Sequence, residues 1–311
     1  MVSFRFIPDR TAIPFLRYEH VGYAVSAVLI LLSLVLLPTK GLNFGIDFRG
    51  GILVEVRMPG EAADLGAMRA TLGGLGLGEV ALQEFGQATD VLIRIERQTG
   101  DEEAQLAAVD TVKTALAQAF GEDISYRRVE FVGPKVSGEL FWAGAQAVIY
   151  ALIAILAYIW FRFEWQFGVG AIVALVHDVI ATLGIFSLLG LEFNLSTVAA
   201  LLTIVGYSLN DTVVIYDRVR ENLRRYKSMP LRELLDRSLN ETLARTVMTS
   251  LTTLVALIAL FVFGGPVIRG FTFAMIWGVL VGTYSTIFVA TPLLLHLNLR
   301  RESVAPATQT P

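Results

Sequence analysis

The chain has 311 residues, of which 54% are hydrophobic and 17% charged, and its mean hydropathy of +0.61 exceeds what a water-soluble core of this length needs. Lipid is the expected solvent, and the formal net charge of -3 says little, because in a membrane protein it matters which loops hold the Lys and Arg. The absence of Cys excludes disulfides, thiolate nucleophiles and Cys-based zinc, haem or iron–sulfur sites; His20, His177 and His296 are too scattered for a local metal motif, so neither metal nor cofactor is expected.

Val21–Leu37 is an uncharged run of 17 residues, about 26 Å as a helix and just enough to cross a hydrocarbon core; Pro38 and Gly41 close it. Arg5, Arg10 and Arg17 precede it as they would a signal peptide, but LLPTKG offers no small-x-small cleavage site, which favours an uncleaved signal anchor. From Lys40 to Val136 the patterning changes. Strands are predicted at Ile52–Met58, Val80–Phe85, Val91–Glu96 and Ile124–Phe131, and helices at Ala62–Leu72 and Glu102–Phe120. The order βαββαβ suits a ferredoxin-like α+β domain. The glycines of LGGLGLGEV, Gly73–Gly78, follow a helix and enter a strand, the reverse of a dinucleotide loop, and read as a turn. No Walker-type GxxxxGK[ST] and no nucleophile elbow occurs, so a transport protein is expected rather than an enzyme.

Leu140–Phe161, Phe167–Leu189, Leu195–Tyr216, Ala244–Phe263 and Phe271–Leu295 read as further spans, six in all. The basic residues sort by side: Arg5, Arg10 and Arg17 before the first span, Arg162 between the second and third, seven Lys or Arg in the expected loop at 217–243, and Arg300 and Arg301 in the tail. The third-to-fourth connection, around Gly190, has none and the fifth-to-sixth only Arg269. Both termini, residues 1–20 and 299–311, are expected in the cytoplasm, and the inserted domain, residues 38–138, on the opposite side. Positive-inside bias accounts for the run DRVRENLRRYKSMPLRELLDR without nucleic acid.

An ionisable residue at mid-membrane costs roughly 2.5–3.5 kcal/mol and calls for a partner or a role. The third span carries His177-Asp178, with Thr182 a turn further on; the fourth has Thr203, Tyr207 and Asn210 or Asp211 along one stripe; the fifth opens with Arg245, followed by Thr249 and Thr252 or Thr253. Two readings stay open for Asp211 and Arg245: an ion pair joining two helices, or a proton path in which the carboxylate alternates between charged and neutral forms. One charge crossing 100 mV yields about 2.3 kcal/mol, enough to shift a two-state equilibrium roughly 50-fold. For His177 a satisfied hydrogen bond competes with a proton role. Gly278 and Gly282 form a GxxxG pattern that permits close helix contact.

Several stretches resemble one family, SecF, an accessory subunit of the bacterial Sec protein translocase. They are NFGIDFRGG at Asn43–Gly51, VGPKVSGEL at Val132–Leu140, VHDV at Val176–Val179, TIVGYSLNDTVVIYDRVREN at Thr203–Asn222, TLARTVMTSLTTL at Thr242–Leu254 and GTYSTIFVATP at Gly282–Pro292. The resemblance covers nearly the whole chain. It implies six transmembrane helices in a resistance-nodulation-division type half-bundle in the bacterial inner membrane, with the α+β domain periplasmic. It also implies an obligate partner, SecD, that supplies the second half-bundle. Proton flow would then move the periplasmic domains and help draw unfolded preproteins outward after ATP-driven export through the SecYEG channel, with YajC a further candidate partner. The coupling role is placed on Asp211, with Asn210 beside it, and on Arg245; Asp178, His177 and Thr249 join them as candidates. Gly45, Asp47, Gly50 and Gly51 belong to the family signature, and Gly206, Gly278 and Gly282 are the helix-packing candidates. A six-helix subunit of a proton-driven small-molecule or lipid exporter, and a purely structural translocon scaffold, are the alternative readings.

Overall fold

The computed structural model describes residues 11–265, 268–297 and 299. Apart from Leu299 the expected tail lies outside the described residues, as do Arg5 and Arg10. Among the described residues six helices are long and apolar enough to cross a membrane. The first is α1 (Glu19–Thr39), preceded by a 3-10 turn at Phe15–Tyr18. The others are α5 (Pro134–Arg162), α6 (Trp165–Leu189), α7 (Leu195–Arg225), α8 (Leu231–Phe263) and α9 (Arg269–Ser285). The last continues through a π-helical turn, Thr286–Ala290, into α10 (Thr291–His296).

The helices are longer than the apolar runs that announced them. The expected basic loop at 217–243 is mostly helix: α7 runs on to Arg225 and α8 begins at Leu231, leaving a turn at Tyr226–Pro230. Hydropathy marks where lipid begins, whereas backbone hydrogen bonding continues past it, and here a polar seam supports the extension. Asn222 donates to Ser238 Oγ at 3.0 Å and to Glu241 Oε2 at 2.9 Å. Pro38 likewise sits inside the last turn of α1 instead of closing it.

Half or more of the span residues of α6, α7 and α9 are buried, against 6% for α5 and 11% for α8. The first three form the centre of the bundle; α1, α5 and α8 flank it. Without a hydrophobic drive between helices in lipid, contact depends on small residues that let backbones approach. A Cβ on Gly184 of α6 would overlap Ser33 of α1, and one on Gly278 of α9 would overlap Ile204 of α7.

The inserted domain has the expected order: β2 (Gly51–Arg57), α3 (Leu65–Gly73), β3 (Val80–Phe85), β4 (Gln87–Ile95), α4 (Glu102–Phe120) and β5 (Ser125–Val132). Its sheet runs β3-β4-β2-β5 with every neighbour antiparallel, the ferredoxin-like arrangement. Ile52, Val54 and Val56 of β2 and Ile93 and Ile95 of β4 pack with Met68, Leu72, Val109, Val112 and Leu116 of the two helices. α3 starts at Leu65, not at residue 62, because Asp64 caps it by accepting from Ala67 N at 2.9 Å. β2 is buried on both faces: Leu53 and Leu92 form a second small core with Ile46 of α2 (Ile46–Arg49). That second contact joins the sheet to the bundle side. Two further short strands, β1 (Asn43–Phe44) and β6 (Glu192–Phe193), pair in parallel; neither is legible as a strand, since two residues carry no periodicity.

Candidate functional site

Asp211 lies on the inner face of α7, 8% exposed. Thr246 of α8 donates to its Oδ1 at 2.6 Å, while Oδ2 is buried without a hydrogen-bond partner among the described residues. An ion pair with Arg245 is not formed. Arg245 is exposed, and among the described residues it makes no ion pair within contact distance; its carbonyl accepts from Thr249 at 3.0 Å. Neighbouring residues on a helix point about 100° apart, so once Thr246 turns inward to Asp211, Arg245 turns outward. Asn210, Thr203, Gly206 and Thr249 are exposed on the same pair of helices. Thr246 was missed by sequence reasoning, although its place beside Arg245 and one turn before Ser250 could have marked it.

Asp178 occupies a separate node where α6, α7 and α9 meet. It is fully buried; Ser208 donates to its Oδ2 at 2.6 Å, Ser285 at 2.9 Å, and His177 Nδ1 lies 3.0 Å from Oδ1. Three polar contacts from three helices compensate the desolvation of this carboxyl. His177 Nε2 is buried without a hydrogen-bond partner among the described residues, beside the tilted ring of Tyr284 at 6.2 Å. Ser208 and Ser285 were legible only as small polar residues in apolar spans.

The GxxxG pair packs inside this chain. Gly278 faces Ile204, and a Cβ on Gly282 would stand 3.0 Å from Ser208 Cβ, so α9 lies against the turn of α7 that holds Ser208 beneath Asp178. Gly206 differs: among the described residues nothing stands within 4 Å of its Cβ position. One turn beyond Ser208, Thr212 Oγ1 lies 3.0 Å from Thr286 Oγ1, and about two turns beyond it Tyr216 Oη donates to Ala290 O at 3.1 Å, both partners being in the π-helical turn. π-bulges of this kind recur at functional sites.

The signature at 43–51 forms the seat of the inserted domain. Asp47 Oδ2 accepts from Leu195 N at 2.8 Å, supplementing the Asn194 capping box at the start of α7. Gly45 N donates to Phe193 O at 2.9 Å, and a Cβ there would come within 2.5 Å of Glu192 Oε1. Gly50 and Gly51 have φ of +72° and +116°, and a Cβ on Gly51 would lie 2.7 Å from Ile95 O. Both glycines are thus demanded by backbone conformation, and Gly51 by close approach as well. Arg94 of β4, unremarked in the sequence, donates to Asn43 Oδ1 at 2.8 Å and Glu192 Oε2 at 2.6 Å.

Comparison with known proteins agrees with this arrangement. The family profile "Protein export membrane protein SecD/SecF, C-terminal" matches residues 111–300, and "SecD/SecF GG Motif" matches residues 35–58. The protein translocase subunit SecF of Rickettsia felis is 48% identical over 297 residues, 96% of each chain. That of Rickettsia prowazekii is 47% identical over 305 residues, 98% of this chain and 97% of its own. The crystal structure of SecDF, a translocon-associated membrane protein from Thermus thermophilus, superposes with a TM-score of 0.85 at 36% identity. The match covers 95% of this chain and 40% of that one. SecDF in its super-membrane-facing form gives a TM-score of 0.68, again at 36% identity, over 93% of this chain and 39% of that chain. Two matched profiles, near-complete alignment with both Rickettsia proteins and a shared backbone from the first span to the last leave one conclusion: the chain belongs to the SecF family of protein translocase subunits.

Proposed function

We propose that this chain is an accessory subunit of the Sec export translocase that works with SecD, using the proton motive force to promote late-stage translocation of preproteins across the bacterial inner membrane. In this reading SecYEG supplies the channel, YajC is a further candidate partner and unfolded preproteins are the cargo. Residues 38–138 form the periplasmic domain, and both termini are cytoplasmic. The clustering of Arg162, Arg218, Arg220, Arg224, Arg225, Arg232 and Arg237 at one end of the bundle supports that orientation. The chain spans 40% of the SecDF chain it superposes on, which supports a second half-bundle supplied by SecD. The outward-facing Arg245, Asn210, Thr249 and Gly206 suit the seam where that half would dock.

The observation that carries the reading is the unequal bonding of the Asp211 carboxyl. One oxygen is held by Thr246, and the other, buried, has no hydrogen-bond partner among the described residues, so Oδ2 can take up and release a proton while the Thr246 bond persists. Among the described residues the Thr246 bond is the only hydrogen bond to this carboxyl and no ion pair reaches it, so a charge left permanently at this depth is costly. His177 and Asp178 are secondary candidates, because Asp178 already has three partners. The test is gradient-dependent preprotein export in membrane vesicles containing SecD, comparing wild type with Asp211→Asn and Arg245→Met at matched complex levels. Loss of the gradient-dependent step with ATP-driven initiation intact supports the reading; unchanged export refutes it and leaves both residues structural.

A further inference from the structure

We propose that Arg94 is the positioning residue through which displacement of α7 reaches the α+β domain, an inference that rests on the proton-coupled reading above. The covalent connections do not serve this purpose. The chain enters the domain from α1 and leaves it through Val132–Pro134 into α5, and both are flanking helices, with only 17% and 6% of their span residues buried. Asp211 stands on α7, which is not directly joined to the domain: α5 and α6 come between them in the chain. α7 is one unbroken helix from Leu195 to Arg225, and Asp211 lies roughly 24 Å along it at 1.5 Å per residue. A displacement there arrives at the helix start, where α7 meets the α6–α7 turn and β6.

What crosses from that turn to the domain is a small set of noncovalent contacts, and Arg94 is at their centre. Its Nη2 donates to Glu192 Oε2 at 2.6 Å and to Gln83 Oε1 at 3.4 Å, and its Nη1 to Asn43 Oδ1 at 2.8 Å. Asn43 Nδ2 in turn donates to Gly190 O at 3.0 Å. One guanidinium therefore ties strands β3 and β4 of the sheet to β1 and to the turn that starts α7. The Arg94 and Glu192 side chains are only 15% and 19% exposed, so water screens the pair little, and the planar fork fixes direction as well as distance. The β1–β6 ladder is two residues long, Arg269 Nη1 reaches Gly86 O at 3.2 Å in an exposed bond, and the bond from Leu195 N to Asp47 Oδ2 holds α2, not the sheet, to the start of α7. Coupling between distant sites needs rigid elements joined by discrete contacts; α7 is the rigid element and Arg94 the contact.

The test uses the full chain with SecD in vesicles, measuring the gradient-dependent increment of export at matched complex levels. Arg94→Gln is expected to lower it by about tenfold while ATP-driven initiation stays at the wild-type rate. If Arg94→Gln fails to assemble, Glu192→Gln carries the same expectation and leaves the bonds to Asn43 and Gln83 in place. A purely structural role is separated by a covalent bridge. This chain has no cysteine, so with SecD and the channel subunits also made cysteine-free a bis-maleimide joins Arg94→Cys to Glu192→Cys. The unbridged pair loses the increment and bridging restores it if the contact transmits motion. An increment within about twofold of wild type in Arg94→Gln, with Asp211→Asn inactive, overturns the role of Arg94 alone, as does a bridged pair that stays inactive. An active Asp211→Asn removes the proton-coupled reading and this inference with it.

Discussion

Replacing Gly278 by Ala tests the central packing of the bundle. A methyl on Gly278 would overlap Cγ1 and Cδ1 of Ile204 and lie 2.7 Å from its Cγ2. Ile204 has no room to swing aside, being fully buried among Phe186, Leu201, Met275 and Val279. Two effects oppose each other. Ala gains up to about 1 kcal/mol over Gly in helix propensity, and overpacking costs about 1–3 kcal/mol. Overlap with several atoms of one branched side chain places the cost in the upper part of that range, for a net loss of about 1–2 kcal/mol. Ile204→Ala alone leaves a cavity and costs about 2–5 kcal/mol. In the double variant the new methyl occupies part of the vacated space, so its loss falls short of the sum by about 1 kcal/mol or more. Equilibrium unfolding in mixed micelles titrated with SDS, followed by circular dichroism, measures all four proteins. A Gly278→Ala variant as stable as wild type, or a strictly additive double variant, would refute the packing argument.

Gly206→Ala is expected to have the opposite sign in the chain purified without a partner, a gain of up to about 1 kcal/mol, because among the described residues nothing stands within 4 Å of its Cβ position; the same titration reads it. Ser208→Ala and Ser285→Ala each remove a donor from buried Asp178 and are expected to lower stability by about 1.5–3 kcal/mol, the pair departing from additivity because both bond the same oxygen. Gly51→Ala forces a side chain into φ +116° against Ile95 O and is expected to cost at least about 1–3 kcal/mol, seen as faster hydrogen exchange of the β2 and β4 amides. In the α+β domain, hydrogen bonds from Arg57 hold the buried Asp90 carboxyl below the usual carboxylate range, against the opposing effect of burial. Its contribution is therefore present above the unfolded value of about 3.9 and lost as pH falls through the depressed folded value. Asp90→Asn is expected to flatten the acid dependence of exchange in β4 while weakening the domain at neutral pH; an unchanged acid profile would remove Asp90 as its source.

The six spans and the βαββαβ order were legible because each depends on local pattern: apolar runs of membrane length, and alternation or helical spacing within single segments. Asp211 was legible for a related reason, since an ionisable group in an apolar run is costly wherever the helix packs. The spans were read too short because hydropathy ends at the membrane surface, whereas α7 and α8 continue on hydrogen bonds between Asn222, Ser238 and Glu241. Spacing also left Asp211 and Arg245 as a possible pair, and the rotation of α8 separates them.

By itself the sequence determined the solvent, the number of crossings, the inserted α+β domain and the family, because these are written in composition, periodicity and contiguous motifs. Only the tertiary structure decided that Thr246, not Arg245, meets Asp211, that the Gly278–Gly282 face packs within the chain, and that Arg94 reaches Glu192. Each of those depends on how helices and strands distant in sequence are rotated and stacked. Their side-chain directions are set by close packing and by the need to satisfy buried polar groups, and no local pattern records them.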